Sequence, residues 1–379
     1  MKHTSKDAKD SPPCRRPVAA GQIEISVPGR ICLFGEHSDW AADYGIHRGF
    51  CIVIGTNQAI TAVVRPSERF VVETILPDDV GRTRGRTRQM SCAWEPGTLL
   101  AAAKDESEFF RYTAGTAHAI LTQLNLPHGL DIRITRMDLP LKKGVSSSAA
   151  VCILVAKAFN AIYELEMFPY EMMEIAYLGE RLTGSQCGRM DQACIYGKTP
   201  VLVVFEKSKR IQIEPISVNA PVDMFFVDLA GQKDTIRILD DLQRNYLDNT
   251  GLQRALGQEN ERIIRQAYHV ISIGDAPRLG RLMNEAQRIF DEFVAPNSPD
   301  QLRSPLLHEI LNFREIAEHV YGGKGVGSQG DGTAQFVARS ASDCEAAIAK
   351  IGKAFPQMKC FPLKISAAVH ESPRIEQSA

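Results

Sequence analysis

The spacing of apolar residues changes several times along the chain, and each period predicts a different kind of element. Runs rich in β-branched residues and bounded by Gly or Pro predict strands in the first part of the chain. Helical spacing predicts two helices there, and a third segment is apolar almost all round, which predicts a buried helix. The predicted strands are 22–29, 30–35, 51–66, 129–140 and 199–206, and the predicted helices are 107–124, the segment ending near 165, and 171–184.

The second part of the chain repeats no earlier pattern. Beyond the segment DMFFVDLAG, residues 223–231, three helical patterns follow, and then a helix near 342–355 and a strand at 360–368. Asp275 is placed to cap the second of the three helices, and Ser304 precedes the Pro that opens the third.

Polar, proline-bearing residues separate these two parts. They lie between about 205 and 222 and predict a domain boundary. We therefore expect an α+β protein with domains at 22–212 and 213–372. Residues 1–21 are polar and lack the apolar stretch of a secretory signal, which predicts a disordered tail.

Composition removes several classes of function. The chain has 379 residues and a formal net charge of −1, so no overall field attracts nucleic acid or an anionic membrane. Alternating arginines at 82–88 are interpreted as the solvated face of a hairpin edge. No apolar run approaches the ~20 residues of a membrane span. The nine cysteines include no C-x-x-C pair, so neither a disulfide framework nor a zinc site is indicated. We expect a cytoplasmic protein, a monomer or homodimer, with a small-molecule substrate and no nucleic-acid or membrane partner.

The segment GRICLFGEHSDW, residues 29–40, carries the first candidate chemistry. Its apolar run predicts a buried strand, and two carboxylates, an imidazole and a hydroxyl follow directly at the end of that strand. Such a cluster can hold a polar ligand, because paired carboxylate oxygens accept hydrogen bonds from neighbouring hydroxyls.

The segment PLKKGVSSSAA, residues 140–150, is the second segment with candidate chemistry. Small residues between a strand and a helix start let backbone N–H groups point into one concavity, where the helix dipole favours phosphate. Taken alone, the same segment is also compatible with simple capping of a helix. A P-loop at 192–199 is rejected, because its first Gly is replaced by Gln192 and strand-like residues follow.

Four motifs together resemble the GHMP kinase superfamily, and within it most closely the galactokinases. They are GRICLFGEHSDW, PLKKGVSSSAA, GRMDQ and GGKGVGSQGDGTAQF, and they occur in the family's order from about 28 to 337. The resemblance implies a two-domain α+β fold, with a first domain like domain 2 of ribosomal protein S5 and a ferredoxin-like second domain. It also implies an ATP- and Mg2+-dependent kinase that phosphorylates a monosaccharide, at the anomeric hydroxyl as galactokinases do.

The resemblance also assigns residues to parts of the site. It implies that Asp191 lies beside the attacking hydroxyl and that Arg30 neutralises charge on Asp191 and on the transferred phosphoryl group. Mg2+ is assigned to Ser148 and Glu180. The implied sugar-binding residues are Glu36, His37 and Asp39; the phosphate-binding residues are Gly144, Val145, Ser146, Ser147, Ser148 and Ala149; and the third-motif loop contributes Gly327, Ser328 and Gly330.

The third motif departs from the family pattern of small residues. Gln329 and Asp331 interrupt it, and an Asp facing the phosphates would repel them unless it turned outward or met a metal. Arg48, near the expected sugar pocket, is either a contact for an acidic substrate group or a loop charge. Two alternatives stay open: a mevalonate kinase-like enzyme that phosphorylates a non-sugar alcohol, and a non-catalytic sensor that binds ATP and sugar.

Overall fold

The structure, a computed structural model, describes residues 21–76, 86–139, 146–206 and 211–367. The predicted tail lies almost wholly outside these ranges. Gly144 and Val145 of the phosphate loop also lie outside the described residues, as do the first two arginines of the 82–88 run.

The first part of the chain builds a seven-stranded sheet with the order β4-β3-β5-β2-β6-β7, and β1 pairs with β2. The β3–β5 pair is parallel, and the other pairs are antiparallel. The strands are β1 (Ile23–Phe34), β2 (Gly49–Ser67), β3 (Arg69–Leu76), β4 (Arg86–Ala93), β5 (Gly129–Met137), β6 (Val201–Phe205) and β7 (Ile211–Pro215). Helices α1 (Ser38–Asp43), α2 (Pro96–Lys104), α3 (Arg111–Leu124), α4 (Ser147–Tyr163) and α5 (Pro169–Arg181) accompany this sheet.

The second part builds a four-stranded antiparallel sheet with the order β11-β8-β10-β9. With helical segments after β8 and one helix after β10, this is the β-α-β-β-α-β arrangement of ferredoxin-like domains. The strands are β8 (Val222–Asp228), β9 (Val320–Gly325), β10 (Thr333–Ala338) and β11 (Lys359–Ile365). The helices are α6 (Thr235–Tyr246), α7 (Thr250–Arg254), α8 (Asn260–Ile273), α9 (Ala276–Ile289), α10 (Pro299–Leu302), α11 (Pro305–Leu311) and α12 (Ala341–Ala354).

The change from one sheet to the other lies between Pro215 and Val222, inside the polar segment noted above. The domain limits of 212 and 213 stay predictions. Asp275 caps α9 by accepting a hydrogen bond from the backbone N–H of Arg278, and α11 begins directly after Ser304.

The prediction of two separate strands before residue 36 is wrong. Residues 23–34 form the single strand β1, whose register shifts between Pro28 and Arg30. Such a bulge accommodates the proline, which cannot donate to the ladder, without ending the strand. The helix predicted from 107 begins only at Arg111, after turns in which the Asp105 and Glu108 carboxylates accept local backbone N–H groups.

One continuous apolar core joins the two sheets, and a smaller one lies between the second sheet, α11 and α12. Polar contacts also cross between the sheets. The side-chain amide of Gln335 on β10 donates to the backbone carbonyl of Cys32 on β1, at 2.8 Å. In the described ranges no helix combines the length and the apolar composition that a bilayer crossing requires.

Candidate functional site

A cavity of about 1150 Å3 lies where the two sheets meet. Its wall combines the end of β1, α1, the start of α4, the segment after α5, and loops that flank β8 and β10. One part of the lining is apolar: Phe110, Ile134, Met137, Val151 and Phe205. The other part carries charged and hydroxyl groups, so the cavity suits a ligand with both an apolar and an anionic portion.

Asp191 and Arg30 form an ion pair in this cavity. Arg30 is 4% exposed in the middle of β1, and Asp191 begins a short 3-10 helix that packs against β1 and β2. Burial alone would lower the pKa of Arg30, but the charge of Asp191 and the hydrogen bond to it raise that pKa above its ordinary value. The arginine is therefore a fixed cation beside the Asp191 carboxylate.

Asp39, the first carboxylate of α1, also faces the cavity. Burial and the charge of Asp191 raise the pKa of Asp39 to about 6. Gly188 gives the side chain of Asp39 its space, because a Cβ atom on Gly188 would lie 1.6 Å from Oδ2 of Asp39. The sequence prediction did not include Gly188.

Glu180 lies at the end of α5, buried and close to Asp191. The side-chain amide of Gln192 donates to Oε2 of Glu180 at 2.9 Å, and the Ser148 hydroxyl contacts the same carboxylate. Burial and the charge of Asp191 raise the pKa of Glu180 to about 7. A cation placed beside a buried carboxylate of this kind would favour its charged form.

The start of α4 opens on the same cavity. Ser146 has a left-handed backbone conformation, with φ 53°, and among the described residues no side chain caps the first turn of the helix. Ser146, Ser147 and Ser148 line the cavity, whereas Ala149 is fully buried behind them. The uncapped N–H groups of this 17-residue helix are donors suited to phosphate.

His37 is buried at the cavity wall and precedes α1 with a positive φ of 67°. The indole N–H of Trp40 donates to Nδ1 of His37 at 3.1 Å, so the neutral ring carries its proton on Nε2. Burial lowers the pKa of His37 to about 4. Its Nε2 is buried near the backbone of Ser328 without a hydrogen bond of good geometry.

Glu36 is not brought to the wall of this cavity. Its carboxylate forms an ion pair with Lys324 of β9, and both side chains are almost fully buried. The pair lies at a smaller cavity, of about 40 Å3, together with Gln329.

The two intruding residues of the third motif both turn away from the main cavity. Oδ1 of Asp331 accepts the backbone N–H of Leu307 at 3.0 Å, in the first turn of α11. Gln329 is buried at the small cavity with a φ of 59°. Of the predicted loop residues, Gly327 and Ser328 line the main cavity, and Gly330 packs against Lys233.

The sequence analysis missed Lys233, Thr235 and Lys324. Lys233 and Thr235 line the main cavity, and their only sequence signal is a polar run after a buried strand and before a capped helix. Arg48 pairs with Glu206 at 2.9 Å and half of its side chain is exposed, which supports the interpretation as a loop charge.

Residues 111–198 match the family described as the GHMP kinases N terminal domain. The galactokinase of Pyrococcus furiosus is 26% identical over 263 residues, which cover 69% of this chain and 66% of that protein. The galactokinase of Roseiflexus sp. is 27% identical over 181 residues, 46% of this chain and 41% of that protein. Both alignments span less than two thirds of the relative. The galactokinase of Actinobacillus succinogenes is 23% identical over 343 residues, 80% of each chain.

Solved structures extend the likeness over nearly the whole chain. Lactococcus lactis galactokinase complexed with galactose has a TM-score of 0.67 at 15% identity, covering 92% of this chain and 95% of that one. Mevalonate kinase of L. major in complex with R-mevalonate has a TM-score of 0.67 at 18% identity, covering 93% and 100%. The two-domain α+β fold predicted from the motifs is confirmed.

The resemblance seen in the motifs is confirmed by the match of residues 111–198 to the GHMP kinases N terminal domain and by the fold shared with the solved galactokinase and mevalonate kinase.

Proposed function

We propose that this protein is a GHMP-type sugar kinase that transfers the γ-phosphoryl group of ATP to a monosaccharide, at the anomeric hydroxyl. The observation that carries the proposal is the Arg30–Asp191 ion pair, which lies in the same cavity as the uncapped start of α4. Phosphoryl transfer depends mainly on positioning and on neutralising charge, and this arrangement supplies both.

Asp191 orients the attacking hydroxyl and accepts its proton as the new O–P bond forms. Arg30 holds the Asp191 carboxylate in place and faces the charge that builds up on the transferred group. The N–H groups and hydroxyls of Ser146, Ser147 and Ser148 bind ATP phosphates, and the apolar lining of the cavity receives the rest of the nucleotide.

Mg2+ fits the site through Ser148 and Glu180. Mg2+ prefers one or two carboxylates together with phosphate oxygens and water, so it does not need a cluster of three acidic groups, and none occurs among the described residues. Burial and the charge of Asp191 raise the pKa of Glu180, and a cation bound beside these carboxylates would lower it. When bound, Mg2+ would neutralise charge on the phosphates of ATP.

Asp39 and His37 bind the acceptor in this proposal. Asp39 accepts hydrogen bonds from sugar hydroxyls, and the Nε2–H of His37 donates one. Glu36 has no such part, because its carboxylate is taken by Lys324.

The experiment that tests the proposal is a coupled assay of ADP release with Mg-ATP across free monosaccharides, uronic acids and mevalonate. Turnover on one sugar, with the product phosphate located by NMR at the anomeric carbon, supports the proposal. Turnover on mevalonate alone would identify the alcohol kinase instead. ATP binding without turnover on any acceptor would identify a sensor.

Replacement of Glu180 by Gln is expected to lower the affinity for Mg2+ about tenfold or more and to change the pH dependence of stability. The pKa of Glu180 is raised from 4.5 to about 7, so the folded state favours the protonated carboxyl. In wild type without metal, the free energy of unfolding should therefore fall as the pH rises through this window. Melting temperatures at pH 5 and pH 8 measure the effect. Glu180→Gln should lack the fall, and Mg2+ should stabilise wild type more than the variant; equal responses would remove Glu180 from the metal site.

A further inference from the structure

The side chain of Lys233 lines the main cavity and is held in place by its neighbours. It lies between β8 and α6, and its side chain runs along the third-motif loop, where a Cβ atom on Gly332 would lie 2.8 to 3.2 Å from it. Its ammonium group donates to the backbone carbonyl of Gln329 at 2.8 Å. The position of this ammonium is therefore fixed by a neighbouring loop.

No carboxylate among the described residues forms an ion pair with Lys233, although other cations nearby have one. Arg30 pairs with Asp191, and Lys324 pairs with Glu36. An ammonium has three N–H donors, and the structure gives Lys233 one acceptor, a neutral carbonyl. Burial and the charge of Arg30 lower the pKa of Lys233 to about 8, and the charge of Glu36, which is paired with Lys324, offsets this only in part.

Lys233 lies at the end of the cavity that holds His37, whose pKa its charge helps to lower. Asp191, which pairs with Arg30, raises the pKa of Asp39 and of Glu180, and the charge of Arg30 also reaches Lys233. The Lys233 ammonium lines the same cavity as Asp191 and has no ion-pair partner among the described residues, so a ligand in this cavity meets its positive charge.

We propose that Lys233 determines specificity by binding a carboxylate on the acceptor, so that the acceptor is a sugar acid. This inference rests on the proposed kinase function and narrows its substrate class. The carboxylate would accept hydrogen bonds from the remaining N–H groups of the ammonium. It would also neutralise the charge of Lys233 in a partly desolvated site. A neutral sugar would leave that charge unpaired.

The transferred phosphoryl group is the other anion that could reach Lys233, and kinetics separate the two. An ammonium that binds the acceptor carboxylate changes KM for acidic acceptors, whereas one that binds the phosphoryl group in the transition state changes kcat for every acceptor. The test compares D-galacturonate with D-galactose and D-glucuronate with D-glucose, for wild type and Lys233→Gln. Lys157→Gln is the matched control, because Lys157 is also half-buried but lies on α4 outside the cavity lining.

Wild type is expected to prefer one of the acids to its neutral counterpart by about 30-fold or more in kcat/KM. Lys233→Gln should lose this preference through KM, Lys233→Arg should retain most of it, and Lys157→Gln should behave as wild type. A wild-type preference for neutral sugars, or an equal loss of kcat on all acceptors in Lys233→Gln, would overturn the inference.

Failure of the kinase function itself gives a different result. If no acceptor is turned over, calorimetric titration of D-galacturonate in the presence of a non-hydrolysable ATP analogue tests Lys233 alone. Binding that Lys233→Gln abolishes supports the carboxylate site without the reaction, and absence of binding to wild type contradicts it. Circular dichroism of each variant establishes that it is folded.

Discussion

Replacement of Asp191 by Asn is expected to lower kcat by about 100- to 10,000-fold while the Kd for ATP changes little. The amide keeps the size of the carboxylate but cannot accept the proton of the attacking hydroxyl. It also leaves Arg30, which is 4% exposed, without the charge it pairs with. Steady-state kinetics with the acceptor identified above and fluorescence titration with ATP give the two quantities.

Asp131→Asn is the matched control for this experiment. Asp131 pairs with Arg65 on the face of β5, where most of the arginine side chain is exposed, so its loss should leave kcat unchanged. If Asp191→Asn kept more than a tenth of the wild-type kcat, Asp191 would be an orienting group at most. A loss of ATP affinity as large as the loss of kcat would place Asp191 among the nucleotide-binding residues instead.

Replacement of Lys324 by Met should destabilise the protein by about 3–5 kcal/mol, because it leaves the buried carboxylate of Glu36 without its cation. Lys324 lies on β9 of the second sheet and Glu36 lies in the turn that follows β1 of the first, so the loss would also weaken the contact between the two halves of the molecule. Urea unfolding followed by circular dichroism measures the free energy.

Two further variants sharpen this measurement. Lys350→Met removes an ammonium that pairs with the largely exposed Glu318, and it should cost no more than about 1 kcal/mol. The double variant Glu36→Gln with Lys324→Met removes both charges and should recover part of the stability lost in Lys324→Met. If Lys324→Met and Lys350→Met were equally stable, the Glu36–Lys324 pair would not hold the two sheets together.

The sequence predicts the residues proposed to act on the transferred phosphoryl group better than the lysine proposed to select the acceptor. Arg30, Ser148 and Asp191 belong to three of the quoted motifs, the resemblance assigned Glu180 with them, and all four side chains line one cavity. Lys233 comes from the second part of the chain and belongs to none of the quoted motifs, and Lys324 lies inside the motif GGKGVGSQGDGTAQF but was given no role from it. Their positions depend on how the second sheet packs against the first. The spacing of apolar residues along the chain does not predict that packing.

Two residues show why a motif fixes a backbone position but not the partner of a side chain. Glu36 belongs to the first motif, yet a lysine 288 residues later takes its carboxylate. Asp331 interrupts the third motif, yet the N-terminal turn of α11 turns it outward. For the fold, the alternation of strands and helices indicated the class, whereas the ferredoxin-like order of the second sheet followed from the resemblance to GHMP kinases. The single strand β1 was missed because a proline inside a bulge looks like a strand end.

The polar contacts between the sheets have a consequence during synthesis on the ribosome. Gln335, which satisfies the Cys32 carbonyl, is made 303 residues after it. At about 5–20 residues per second, the end of β1 therefore waits roughly 15–60 s for this partner. During that time the growing chain exposes the Glu36 carboxylate and unpaired strand carbonyls at the future floor of the cavity. The nascent first half can therefore complete its sheet but not its site, which closes only when β9 and β10 arrive.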